Sequence, residues 1–104
     1  MPMLDLYLIP DDIKTPEWPE KENLKFVDGL TLKEFDQLMK LEIIDGNITF
    51  WDDFRWTNKE VKGKAQKIQA HYTKVSMQNT TVDKLDRILK TAIMNNLGLV
   101  AYCD

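Results

Sequence analysis

The residues best placed to do chemistry are carboxylates interleaved with aromatic rings. Trp51-Asp52-Asp53-Phe54-Arg55-Trp56 sets three large rings and two acids within six positions, and Glu17-Trp18-Pro19-Glu20 repeats that character upstream. Asp11-Asp12 forms a second adjacent acid pair. Carboxylates in such pairs have two uses. One acid from each pair could work as the two-carboxylate set of a hydrolase. They could equally supply a negative surface, with tryptophan anchors, that steers and holds a basic protein.

Other catalytic sets are poorly provided for. His71 is the single histidine, so His-x-His and His-Glu-x-x-His metal spacings cannot occur, and the acids lack the spacing of an EF-hand calcium loop. A Cys–His pair would need Cys103, near the end of the sequence, to reach His71. Ser76 is the one serine, and no Gly-x-Ser-x-Gly turn surrounds it. The four glycines, Gly29, Gly46, Gly63 and Gly98, are too far apart to cradle a phosphate. No metal and no cofactor is therefore expected, and the chain is read as a non-enzyme.

Charge narrows the partner. Residues 1–60 carry 14 acidic against 7 basic side chains, and residues 61–104 carry 3 against 7, for a net charge of −3. This polarity sets up a field that selects partners by sign. Lys59, Lys62, Lys64, Lys67 and Lys74 gather in one segment, but no arginine joins them and the whole chain is acidic. Direct nucleic-acid binding is thus not expected, since dedicated binders are basic and use arginine to read bases. With no apolar stretch near 18 residues, no membrane span is expected. The first residues lack the positive region of a secretory signal, and a lone cysteine excludes an internal disulfide. The expected location is the cytoplasm.

These features must be positioned by a domain of 104 residues, long enough to bury a core without covalent staples. Leu4, Leu6 and Leu8 alternate with polar or aromatic neighbours, which predicts a strand over 3–9. Residues 10–29 hold three of the four prolines and read as a long loop with a turn of helix. Thr31 and Glu34 make a capping box, flanked by Leu30 and Phe35, for a helix at 31–40 with a stripe of Leu32, Phe35, Leu38 and Met39. Asp45-Gly46 between β-forming residues predicts a hairpin over 42–51, its second strand running toward Trp56. Thr57 and Glu60 make a second box for a helix with Val61, Ala65, Ile68, Tyr72 and Val75 on one face, ending near 75. A strand at 68–77 is the alternative there. Thr80 and Asp83 suggest a third, weaker box before the stripe Val82, Leu85, Ile88, Leu89, Ala92 and Ile93. Asn95-Asn96-Leu97-Gly98 stops that helix, and Leu99–Cys103 reads as a last strand. The expectation is one α+β domain over 1–104: a small, mainly antiparallel sheet of the terminal strands and a central hairpin, covered by about three helices.

A small acidic domain of this kind, without a catalytic set, resembles the immunity proteins of bacterial toxin systems, both contact-dependent growth inhibition and colicin-like. The resemblance lies in general character over the whole chain and rests on no signature motif. It implies a protein that binds one cognate toxin domain, often a basic nuclease, and blocks its active site or substrate surface. The residues proposed here to touch that partner are Asp11, Asp12, Glu17, Trp18, Glu20, Trp51, Asp52, Asp53 and Phe54. Competing readings are a non-enzymatic protein–protein adaptor or phage-type regulatory protein, and a small hydrolase working through Asp52 or Asp53.

Overall fold

The computed structural model describes residues 3–74 and 79–103. Four strands and three helices occur among them: β1 (Leu4–Ile9), β2 (Lys25–Leu30), α1 (Leu32–Lys40), β3 (Phe54–Trp56), α2 (Asn58–Lys74), α3 (Thr80–Met94) and β4 (Gly98–Cys103). The fold is α+β, with one antiparallel sheet in the order β2-β1-β4-β3.

The two terminal strands form the centre of the sheet. β1 and β4 pair along their whole length, from Leu4 opposite Cys103 to Ile9 opposite Gly98. Period-two alternation then sends Leu4, Leu6 and Leu8 to one face, where they meet Leu99, Ala101 and Trp56 beneath the helices. Ile9, Val100 and Tyr102 occupy the opposite face. β4 is buried almost throughout, because both of its faces are covered. Gly98 is required at its start: a Cβ there would lie 2.4 Å from the Trp56 carbonyl oxygen and 2.9 Å from Asp11 Oδ1.

The helices dock by the stripes read from the sequence. Phe35 and Leu38 of α1, Val61 and Ile68 of α2, and Val82, Leu85, Ile88, Leu89 and Ala92 of α3 are buried. Leu32, the first residue of α1, departs from its stripe and is exposed. Val75 and Ser76 lie outside the described residues. Two of the three predicted boxes form. Thr31 N donates to Glu34 Oε1 while Glu34 N donates to Thr31 Oγ1. Thr57 and Glu60 exchange the same pair of bonds. The third helix is capped one residue earlier than expected: Asn79 Oδ1 accepts from the amides of Thr81 and Val82. At its other end Asn96 takes a left-handed φ of 57°, as the stop signal requires.

Two segments differ from expectation. The hairpin over 42–51 does not form; residues 41–53 are irregular and only Phe54–Trp56 is strand. A type I′ turn needs positive φ at its glycine, and Gly46 does not adopt it. The left-handed residue is Glu42, φ 61°, which ends α1 and lets the amides of Ile43 and Ile44 both donate to the Leu38 carbonyl. Both isoleucines are consequently buried side by side, where a strand would have split them between faces. Asp45 leaves the would-be turn to pair with Lys64 Nζ at 2.8 Å. The second difference is β2, which lies inside the expected long loop. Its exposed first half and Gly29 dilute the alternation that marks a strand.

Candidate functional site

The chain segment that joins β1 to β2 does not hang free. It crosses the face of the sheet opposite the helices and seals Ile9, Val100 and Tyr102 with Ile13 and Leu24. Pro16 and Pro19 are buried against that face, and Pro19–Glu22 winds into a short 3-10 turn.

Polar tethers fix this loop. Arg55, the middle residue of β3, sends Nη1 to the Ile13 carbonyl at 2.7 Å and to Thr15 Oγ1 at 3.1 Å. Its Nη2 reaches the carbonyls of Pro10, 2.8 Å, and Asp11, 3.3 Å. Buried Tyr102 donates its hydroxyl to the Pro16 carbonyl at 2.8 Å. Asp11 turns its carboxylate to the first amide of α2, that of Asn58, at 3.0 Å and 3.2 Å, where the helix dipole favours negative charge.

The predicted contact residues divide accordingly. Asp12, Glu17 and Glu20 are exposed on the loop, and Trp18 stands half out of the surface, 50% exposed, with Lys21 Nζ 5.3 Å above its ring. Trp51 is 60% exposed, edge-on to buried Phe50. Asp52 accepts from Thr49 Oγ1, and Asp53 accepts from the Cys103 amide at the end of β4. Tyr102 joins the two regions. Burial pushes its hydroxyl above the ordinary tyrosine value, and the charge of Asp53 adds to this while the charge of Arg55 opposes it. Two residues stand apart. Asp11 is engaged as a helix clamp. Phe54 faces the helices, half-buried between Phe35 and Trp56 at ring distances of 6.5 and 5.2 Å. Trp56, 2% exposed, is core.

Arg55, Tyr102 and Phe26 were not singled out from the sequence. Arg55 sits inside the aromatic–acid cluster, and a lone arginine there was the available signal for the first. Tyr102 reads as an ordinary strand residue. Phe26 is 51% exposed on β2, edge-on to Tyr7, whose ring in turn meets Tyr102. These rings extend the aromatic character of the loop-covered face.

A separate cleft of about 710 Å³ opens between the end of α1 and α2. Met39, Ile43 and Ile44 form its floor, and Glu42, Asp45, Lys67 and His71 its polar rim. Lys64 and Lys67 both pair with Asp45, and the bond from Lys64 holds that carboxyl below the ordinary aspartate value. Among the described residues no three of His, Cys, Asp and Glu are arranged to hold a metal, and no helix is long and apolar enough to cross a membrane.

Comparison with protein-family models, curated proteins and solved structures returned no match.

Proposed function

We propose that the protein is an immunity protein: it binds a cognate toxin domain, a basic one such as a nuclease, and occludes the active site or substrate surface. It acts by contact rather than by catalysis. The observation that carries this reading is the company of Trp18 and Trp51, two solvent-exposed tryptophans each flanked by exposed carboxylates. An exposed tryptophan has no role in the fold's own core, whereas in an interface it is a favoured anchor. Carboxylates around it steer a cationic partner and discourage acidic ones. Trp18, Asp12, Glu17 and Glu20 supply the loop part of the surface, and Trp51, Asp52 and Asp53 the rest. Four of the five lysines of α2, Lys62, Lys64, Lys67 and Lys74, lie in the oppositely charged part of the sequence, consistent with docking through the negative part.

The test is a pull-down from the source cells that includes the product of the neighbouring gene, followed by co-expression of the two. Capture of a toxin whose killing is relieved by this chain supports the reading. Capture of phage structural or regulatory proteins, with no relief of toxicity, would instead support the adaptor reading.

A further inference from the structure

We infer that Arg55 is the positioning residue that makes the loop part of this surface rigid before any partner arrives. The acid-bearing loop is then preformed, not folded on binding. Loop residues 10–16 contain little regular structure; their internal backbone bond is Ile13 N to the Pro10 carbonyl at 3.3 Å. The loop's shape comes instead from outside. Four of its oxygens, from Pro10, Asp11, Ile13 and Thr15, converge on one guanidinium. A planar fork with fixed donors can hold four acceptors in one arrangement; an ammonium group cannot. Inward-pointing carbonyls leave Asp12 and Lys14 facing water.

Arg55 is itself held by the sheet, since it pairs with Val100 in the register of β3 with β4. In a region crowded with acids its hydrogen bonds go to neutral oxygens of the loop. Tyr102 to Pro16 and Asp11 to Asn58 pin the loop on either side of the fork. Preorganisation of this sort removes the ordering cost of association and lets recognition proceed as rigid bodies. That consequence for docking rests on the function proposed above; the rigidity itself does not.

Trypsin reports the loop directly in the free protein. Lys14 is exposed and lies between two of the oxygens held by Arg55, yet cleavage after it requires the chain to detach. Cleavage of the wild-type protein at Lys14 is expected to be slow. In Arg55→Gln it should accelerate about tenfold or more, because the loop's open population rises as its charged hydrogen bonds go. Arg55→Lys should fall between, since one ammonium replaces part of the fork. The thermal transition and far-ultraviolet spectrum report whether the sheet and helices persist. Should Arg55→Gln not fold, Thr15→Val, which removes one acceptor and leaves β3 untouched, should still accelerate cleavage at Lys14 relative to exposed sites elsewhere. Wild-type cleavage at Lys14 as fast as in folded Arg55→Gln, or an unchanged rate in folded Arg55→Gln or in Thr15→Val, would overturn the inference. No partner enters this experiment, so its outcome is independent of whether the immunity reading holds.

Discussion

The two faces of the sheet are closed in opposite ways. On one, three amphipathic helices lay apolar stripes over Leu4, Leu6, Leu8, Leu99 and Ala101, and stability comes from dispersed hydrophobic contact. On the other, one loop covers Ile9, Val100 and Tyr102 and is fixed by directional bonds from Arg55, Tyr102 and Asp11. Hydrophobic burial tolerates many sequences so long as volume is kept. Hydrogen bonds to loop carbonyls specify one shape. The helix face holds the molecule together, and the loop face presents a defined outline of acids and rings. The difference separates residues needed for folding from those needed for recognition.

Substitutions should divide along the same line. Phe35→Ala, in the fully buried layer under the helices, should cost about 3–5 kcal/mol of unfolding free energy, read by urea denaturation. Trp18→Ala and Trp51→Ala should leave that free energy within about 0.5 kcal/mol, being exposed. Each should nevertheless weaken partner binding by about 2 kcal/mol, measured by calorimetry. A tryptophan variant that destabilised the fold as Phe35→Ala does would erase the distinction. Tyr102→Phe removes the bond to Pro16 and should cost about 1 kcal/mol.

Titration offers a finer comparison, because each face contains a tyrosine that resists ionisation. Tyr72, between α2 and α3, is pushed up from 10.0 to about 12 by burial and by the hydrogen bond and charge of Asp83. Tyr102 is raised by burial and by Asp53. Above pH 10 the unfolded chain loses these protons while the folded one retains them. Their contribution is thus complete below pH 10 and is lost as pH rises toward 12. Tyr72→Phe should flatten most of that decline, whereas Tyr102→Phe should flatten a smaller part. Glu34 behaves oppositely at low pH. Burial raises it, but the Thr31 amide and Lys84 outweigh burial and hold it below 4.5. Its contribution is present above pH 4.5 and fades as pH falls through the depressed value, so Lys84→Met should reduce acid sensitivity between α1 and α3.

The helix face was legible in the sequence and the loop face much less so. Capping boxes and 3.6-residue stripes are local signals, and Thr31, Glu34, Thr57, Glu60 and the α3 stripe gave the helices nearly to their ends. Leu4, Leu6 and Leu8 gave β1 for the same reason. Asp45-Gly46 misled because tertiary partners prevailed over turn chemistry: Lys64 drew Asp45 aside, and Glu42 took the left-handed position. β2 was missed because an edge strand with one half in water needs few apolar residues. The surface was read partly. Trp18 and Trp51 are exposed beside their acids, whereas Phe54 is half-buried against the core on a strand only three residues long. The bonds of Arg55 span 40 to 45 residues, and no local pattern encodes a contact at that separation.

The most direct test of the acidic face is the association rate of the captured partner, followed against salt for the wild-type chain and for Asp52→Lys with Asp53→Lys. Electrostatic docking predicts a fast wild-type rate that falls steeply with ionic strength, and a drop of about tenfold or more in the charge-reversed protein at low salt. Equal rates for the two proteins at low ionic strength would contradict it.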